Sequence, residues 1–202
     1  MGALAVFAYG SLVSAPSAAA TLGREPADRW SEGAAAMAVL TGWQRRWTQA
    51  RDNRRCEKTF ARDADGSIPD FVLGLNVERT GNPHDVVNGL LIAVTEAELE
   101  RLDRRELRYE RTPVTDEVAP RAVAGRFERI ITYEARPEQL VLEPPPGAVI
   151  LRSYAAAVEA AFDALGPGQR AEYLRSTDPY PVERIGAHLV ADRISAGNPR
   201  EW

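Results

Sequence analysis

A strand that runs directly into a capped helix, within residues 88–111, constrains this chain more than any other stretch. The apolar run at 90–94 has the length of a buried strand. Thr95 follows it and Glu98 comes three residues later, which is the spacing of a capping box. In that motif the Thr hydroxyl and the Glu carboxylate each satisfy a backbone N–H group at the start of a helix. The sequence therefore predicts a strand–helix unit with a fixed junction.

Glu106 stands where the predicted helix would otherwise carry an apolar side chain. Leu99 and Leu102 form the apolar stripe, and at about 100° per residue Glu106 falls within roughly 20° of Leu99. One interpretation is a buried acid paired with a neighbouring arginine, because buried charges are rare unless they are paired. The other is a carboxylate in a partly dry cleft, suited to taking and returning a proton. The arginines available for the ion pair are Arg104, Arg105 and Arg108.

A second motif lies near the N-terminus, where the apolar run 4–8 passes straight into Tyr-Gly-Ser-Leu at 9–12. A glycine directly after a strand allows a turn that other residues resist. Successive backbone N–H groups in such a turn can converge on an anion or a carbonyl oxygen. The alternative is an ordinary turn from strand to loop, since the motif is short.

Composition narrows the function classes. With 202 residues, 45% of them hydrophobic, the chain suits one globular domain of ordinary size with an appended helical piece. The net charge of −4 gives no overall field that attracts nucleic acid, so we expect no nucleic-acid partner. No stretch reaches the ~18 apolar residues of a membrane span, and the N-terminal apolar run is interpreted as a strand rather than a signal peptide.

The few sulfur and imidazole groups limit metal chemistry. Cys56 is the single cysteine, which excludes an intrachain disulfide and fits a reducing, cytoplasmic compartment. With His84 and His188 as the two histidines, no zinc site of ordinary ligand type can be assembled. We therefore expect neither a metal nor a cofactor.

Residues 44–62 carry a dense run of positive charge against only Asp52 and Glu57. The favoured interpretation is a solvated strand and loop. The alternative is a rim around a pocket that attracts anionic, carboxylate-bearing substrates. The cations are Arg45, Arg46, Arg51, Arg54, Arg55, Lys58 and Arg62.

A Glu-Pro-Pro-Pro-Gly break at 143–147 divides the chain. We predict a first domain at 1–140 and a C-terminal helical extension at 148–202, packed on that domain. Its expected helices cover 149–165, 169–177 and 185–194, the last followed by Gly197 and Pro199.

The two motifs together resemble the gamma-glutamylcyclotransferase family. Its pattern is a strand ending in YGS-L or YGS-N, then a strand–helix unit ending in LD-x-x-E, often followed by Y-x-R. Here YGSL stands at 9–12 and LDRRELRYER at 102–111. The motifs bracket about residues 4–135, and the tail around 168–174 resembles the longer ChaC-type branch. One departure is Leu107, where the family often has glycine.

The resemblance implies an α+β fold, a small mixed β-barrel with flanking helices. It implies an enzyme that cyclises a gamma-glutamyl compound to 5-oxoproline and releases an amine or amino acid, without a cofactor. Glu106 would be the general base and acid. The residues that would bind substrate are Tyr9, Gly10, Ser11, Leu12 and Tyr109.

Two other functions stay open. The first is a non-catalytic protein of the same fold that binds an anionic small molecule. Leu107 and the arginine run favour it, and fold alone does not settle function. A third possibility is an interaction module built on the C-terminal helices.

Overall fold

The computed structural model describes residues 3–25, 29–195 and 198–199. The strands are β1 (Leu4–Ala8), β2 (Ala35–Thr41), β3 (Trp43–Asp52), β4 (Lys58–Arg62), β5 (Phe71–Arg79), β6 (Val86–Val94), β7 (Tyr109–Pro113), β8 (Val118–Ala119), β9 (Arg129–Ala135), β10 (Ile150–Leu151), β11 (Arg184–Ile185) and β12 (Ala187–Asp192). The helices are α1 (Ala15–Leu22), α2 (Glu96–Arg105), α3 (Arg121–Ala124), α4 (Arg152–Ala164) and α5 (Gln169–Arg175).

A curled six-stranded sheet, in the order β7-β9-β1-β6-β2-β8, forms a half-barrel. β1 lies inside it, antiparallel to β6 and parallel to β9. All five residues of β1 are buried, which is why this segment is apolar without alternation. Antiparallel ribbons β3–β5 and β4–β12 and the short parallel pair β10–β11 complete the structure. The predicted α+β class with a mixed barrel-like sheet is confirmed.

The strand–helix junction is formed as the sequence predicts. Thr95 Oγ1 accepts a hydrogen bond from the Glu98 amide at 3.2 Å, and Glu98 Oε2 accepts one from the Thr95 amide at 2.8 Å. Leu99 and Leu102 are buried against the sheet. The helix ends at Arg105, so Glu106 is its C-terminal cap rather than a member of its apolar stripe.

The C-terminal segment is only partly helical. The first two predicted helices are confirmed as α4 and α5. The third, at 185–194, is wrong, because residues 187–192 form β12 and pair with β4. The backbone N–H and C=O groups of β12 bond to the edge of β4, whereas in a helix they would bond to one another. Gly197, which was expected just beyond the end of that helix, lies outside the described residues.

The boundary between 1–140 and 148–202 stays a prediction. Residues 1, 2, 201 and 202 at the ends of the two predicted domains, like Gly197, are outside the described part of the chain. None of the described helices is long and apolar enough to cross a membrane. No cluster of three or more potential metal-ligating His, Cys, Asp or Glu side chains occurs among the described residues.

Candidate functional site

The end of β1 opens into a small cleft. After the strand, Ser11–Val13 form one 3-10 turn, in which the Val13 amide donates to the Gly10 carbonyl at 3.0 Å. Within the described part of the chain, the amides of Gly10, Ser11 and Leu12 donate to no protein acceptor. The turn therefore leaves three consecutive backbone donors unused by the described part of the protein, which is what an anion-binding turn requires.

The cleft brings the two sequence motifs together. Its walls include Glu106 and Tyr109 from the second motif and all four residues of the first, which are Tyr9, Gly10, Ser11 and Leu12. Tyr133 and Tyr154, which sequence reasoning did not single out, also line it. A Cβ atom built on Gly10 would lie 3.7 Å from the Tyr154 hydroxyl oxygen, so the turn and α4 face each other closely.

Glu106 reaches the cleft because α2 stops just before it. Its backbone has φ −87° and ψ 51°, and its amide still donates to the Leu102 carbonyl at 2.8 Å. The Glu106 side chain is only 12% exposed. Leu107 points the other way, with 46% of its surface exposed. The departure from the family's glycine therefore places no side chain in the cleft.

Arg105 ties Glu106 to the turn. Its Nε atom lies 3.1 Å from Glu106 Oε1, and its Nη2 group donates to Ser11 Oγ at 2.9 Å and to Ser17 Oγ at 3.0 Å. Its Nη1 group also donates to the Ser17 carbonyl and to Thr21 Oγ1. One buried guanidinium thus holds the end of α2, the turn and α1 in register. The sequence interpretation of Glu106 as an ion-paired acid is realised together with its position in a cleft.

Both predicted tyrosines use their hydroxyl groups inside the protein. Tyr9 donates to the Tyr133 carbonyl at 2.7 Å, and Tyr109 donates to the Leu75 carbonyl at 2.7 Å. Burial, followed by the nearby Tyr109 and Glu106, raises the pKa of Tyr9 well above its ordinary value, so it stays a neutral donor. We therefore assign both rings to the walls of the cleft.

A larger cavity of about 350 Å³ adjoins the cleft. The two share Ser11, Glu106, Tyr109 and Tyr154 as lining residues. The cavity extends from there between β3, β4, β5 and α4. Its further walls are Gln49, Arg51, Lys58, Phe60, Val72, Leu73, Gly74, Arg105, Arg108, Leu151, Ser153 and Ala157.

No model of a known protein family matches this sequence, and no curated protein matches it either. Solved structures do match over most of the chain. YkqA from Bacillus subtilis is 19% identical with a TM-score of 0.57, covering 89% of this chain and 56% of its own. An uncharacterized human protein is 17% identical with a TM-score of 0.56, covering 88% and 89%. A structure described as a gamma-glutamyl cyclotransferase is 15% identical with a TM-score of 0.52, covering 88% and 89%.

The chain has the gamma-glutamylcyclotransferase-like fold. It spans just over half the length of the YkqA chain that it matches. At these identities the likeness establishes the fold and leaves the activity to be argued from the site.

Within this gamma-glutamylcyclotransferase-like fold, the arginine-rich segment divides in a way that its sequence does not reveal. Arg51 and Lys58 line the larger cavity. Arg45 is fully buried in the core instead, and Arg54 and Arg55 are exposed. Only part of the predicted rim therefore faces a pocket. The residues are separated by a β-bulge within β3, which breaks the alternation of buried and exposed positions and which no sequence pattern identified.

Proposed function

We propose that this protein cyclises a gamma-glutamyl compound to 5-oxoproline and releases an amine or amino acid. The supporting observation is that Glu106 and the backbone donors of residues 10–12 share one cleft, joined through Arg105. The fold likeness is consistent with this chemistry. The site residues and their roles below are part of the proposal.

The proton transfers would be made by Glu106. Its carboxylate takes a proton from the α-ammonium group of the substrate, and the freed amine attacks the substrate's own γ-carbonyl carbon. A C–N bond forms and the carbonyl oxygen becomes an oxyanion. Glu106 then returns the proton to the leaving nitrogen as the original C–N bond breaks and the carbonyl forms again. The new ring nitrogen gives its second proton through Glu106 to the released amine, so the products are a neutral lactam and an ammonium ion. One carboxylate can serve both steps in turn.

The turn at 10–12 would stabilise charge. Its unused amide groups are preorganised donors for the oxyanion or for the α-carboxylate of the substrate, and such donors need no rearrangement as charge develops. The walls supplied by Tyr9, Tyr109 and Tyr154 would hold the glutamyl chain folded for attack. The reaction moves no electrons between partners, so as written it requires no cofactor.

A product assay tests this proposal. We would incubate the protein with glutathione, gamma-glutamyl amino acids and gamma-glutamyl amines, and measure 5-oxoproline by mass spectrometry. Glu106→Gln is expected to reduce turnover by about 100-fold or more, the usual contribution of a positioned acid–base group. The exposed Glu110→Gln is the matched control and should keep full activity. Turnover unchanged in Glu106→Gln would disprove the assigned mechanism.

The alternative is a protein that binds an anionic small molecule without turning it over. The Arg105–Glu106 ion pair favours it, because that pair engages the carboxylate that catalysis would use. Four cations also line the cavity, namely Arg51, Lys58, Arg105 and Arg108. A thermal-shift screen with glutamate-like ligands distinguishes the two, since a pure binder is stabilised by a ligand that it does not consume.

The class of binding partner and the cellular location are also proposals. We propose a small-molecule partner rather than nucleic acid, because the acidic total of the chain opposes a phosphate backbone. A cytoplasmic location rests on the single cysteine and stays a prediction.

A further inference from the structure

Arg108 stands two residues beyond Glu106 and lines the same cavity, and its ion pair is with a different acid. The Arg108 guanidinium is in a close ion pair with Glu57, and the two side chains are only 11% and 14% exposed. The sequence names Arg108 among three possible partners of Glu106, whereas the structure gives that place to Arg105. The proposed chemistry uses neither Arg108 nor Glu57, so their buried ion pair calls for a separate explanation.

Glu57 belongs to the turn between β3 and β4, and the C-terminal segment holds that turn in place. Arg193, directly after β12, donates through its guanidinium to the Cys56 carbonyl and to Thr59 Oγ1, each at 3.1 Å. The Arg193 amide also donates to the Glu57 carbonyl. The position of Glu57 is thus set by contacts to the backbone of the turn, and its carboxylate meets Arg108.

Removing the Glu57 charge would leave the Arg108 guanidinium to find another partner, because an uncompensated charge in a largely buried site is costly. Among the described residues that line the cavity, Glu106 is the single acid. Leu107, between Arg108 and Glu106 in sequence, is the one of the three that turns toward solvent. The Glu106 carboxylate is therefore the acceptor best placed to receive Arg108.

A second guanidinium on Glu106 would oppose its proposed role. Arg105 contacts the Oε1 atom of Glu106. Another guanidinium would engage the Oε2 atom, which the proposed chemistry would use to take a proton from the substrate. Charge-assisted hydrogen bonds of this kind are strong, and they favour the carboxylate over the protonated acid that must form during the reaction.

We propose that Glu57 is a positioning residue for the proton transfer, because it holds Arg108 away from the Glu106 carboxylate. This inference rests on the proposed function. Arg105 supplies the one ion pair that aims Glu106, and Glu57 prevents a second ion pair that would occupy it. Glu57 acts through Arg108 rather than on the substrate.

A change of charge at Glu57 tests this role. Glu57→Gln keeps the size of the side chain, and we expect kcat for the gamma-glutamyl compounds that the wild type turns over to fall about 10-fold to 100-fold, the range for breaking one contact to a charged group. KM should change by less than about 3-fold. Glu183→Gln, which removes a surface ion pair with Arg62 of β4, is the control and should keep full activity. An unchanged kcat in Glu57→Gln would overturn the inference and leave the cyclotransferase proposal intact.

A second substitution separates this role from a purely structural one. In the double variant Glu57→Gln, Arg108→Gln the competing cation is removed, so kcat is expected to rise about 10-fold above that of Glu57→Gln alone. If Glu57 only stabilised the wall of the cavity, loss of both partners would be at least as damaging as loss of one. A double variant no more active than Glu57→Gln would therefore overturn the inference.

A crystal structure of Glu57→Gln tests the same point without an assay. The Arg108 guanidinium is expected within about 4 Å of the Glu106 carboxylate, the distance of an ion pair. An Arg108 side chain that stays beside residue 57 would overturn the inference, whether or not the wild type turns over any gamma-glutamyl compound. If Glu57→Gln does not fold, Arg193→Met, which loosens the turn from outside, takes its place in the same comparisons, with the same outcomes.

Discussion

Arg105 and Glu106 are consecutive in sequence, and their side chains form an ion pair with Nε and Oε1 3.1 Å apart at the end of α2. The contact arises because the helix ends between them. The Arg105 side chain still follows the helix toward α1, while the Glu106 carboxylate turns into the cleft. The ion pair therefore aims the proposed proton-transfer group with a residue that also fixes the Ser11 turn.

Arg105→Met is predicted to damage both stability and activity. The Arg105 side chain is 4% exposed, and its removal leaves Glu106 and the Ser17 carbonyl without their buried donor. We expect the free energy of unfolding to fall by about 3 kcal/mol, as when one partner of a buried ion pair is removed. Urea denaturation measures this change. At a temperature where the variant is folded, kcat should fall more than KM rises.

Arg104→Met is the control for Arg105, because Arg104 is the exposed neighbour on the same helical turn. It should change the free energy of unfolding by less than about 0.5 kcal/mol, as surface substitutions usually do. Comparable losses in both variants would mean that the Arg105 network does not hold the site.

The local parts of the site were predictable from the sequence. The capping box depends on Thr95 and Glu98, three residues apart, so its signal lies within one helical turn. The strand before YGSL was likewise recognisable from five consecutive apolar residues. Such short-range patterns predicted the strand–helix junction. They placed Glu106 on the apolar stripe of the helix, whereas the helix ends at Arg105 and Glu106 is its C-terminal cap.

The features that depend on residues distant in the chain were not predictable from the sequence. β12 pairs with β4 from more than 120 residues away, and no pattern within residues 187–192 identifies β4 as the partner strand. Arg45 and Arg51 stand on the same strand, yet a register shift in β3 sends one into the core and the other to the cavity. Both outcomes depend on distant packing, which overrides local propensity.

Gly89→Ala is predicted to destabilise the centre of the sheet. A Cβ atom at Gly89 would lie 2.3 Å from the Ala8 carbonyl oxygen, and that oxygen belongs to β1 and cannot rotate away. We expect a loss of about 3 kcal/mol in the free energy of unfolding, at the upper end for overpacking. Because Ala8 directly precedes the YGSL turn, catalytic activity should fall as well.

Gly74→Ala provides the comparison for stability. There the close atom is Gln49 Oε1 at 2.8 Å, the end of a side chain that can move. The expected loss is about 1 kcal/mol or less. A Gly89 variant as stable as the Gly74 variant, measured by urea denaturation, would contradict the close approach of β6 to β1.

Tyr9→Phe tests whether this ring acts as a wall or as a donor to substrate. Its hydroxyl donates to the Tyr133 carbonyl at 2.7 Å inside the protein. We expect the free energy of unfolding to fall by about 1 kcal/mol, the usual net value of one hydrogen bond. Turnover of gamma-glutamyl substrates should fall by less than about 3-fold, which is well under the tenfold change that about 1.36 kcal/mol produces. A 100-fold loss would show that the hydroxyl takes part in the chemistry.

The Asp103 carboxyl is expected to contribute to the loss of stability of the fold at acid pH. Partial burial acts to raise the pKa of its carboxyl, but hydrogen bonds from Arg111 and Tyr133 outweigh burial and lower the pKa below the ordinary value of 3.8. The unfolded state therefore binds more protons in this range, so the contribution is present above about pH 4 and is lost as the pH falls through the folded-state pKa.

Asp103→Asn should remove this dependence. The variant is expected to be less stable than the wild type at pH 7 and to lose less of its remaining stability between pH 5 and pH 2, as measured by urea denaturation at each pH. Asp116→Asn, at a side chain that is almost wholly exposed, is the control and should follow the wild-type curve. Parallel curves for the wild type and Asp103→Asn would contradict the assignment.

Arg45→Met separates the buried arginine of β3 from the cavity arginine of the same strand. The Arg45 guanidinium carbon lies 5.0 Å from the Phe162 ring centroid and 4.7 Å from the Tyr173 ring centroid, and these two rings stack on each other. Burial lowers the pKa of Arg45 to about 10, so it remains a cation at neutral pH. It donates to the Asn88 side-chain oxygen at 3.3 Å and to the Asn88 carbonyl. It therefore joins α5 to the sheet and does not face the cavity.

We expect Arg45→Met to lower the free energy of unfolding by about 3 kcal/mol, because the buried Asn88 acceptors lose their donor. Arg45→Lys should recover part of this loss, since an ammonium restores a donor without the planar fork. At a temperature where both variants are folded, kcat/KM for gamma-glutamyl substrates should stay within about 3-fold of the wild type, because Arg45 does not line the cavity. A loss of about 100-fold in kcat/KM in a variant that is folded would contradict the separation of Arg45 from the cavity.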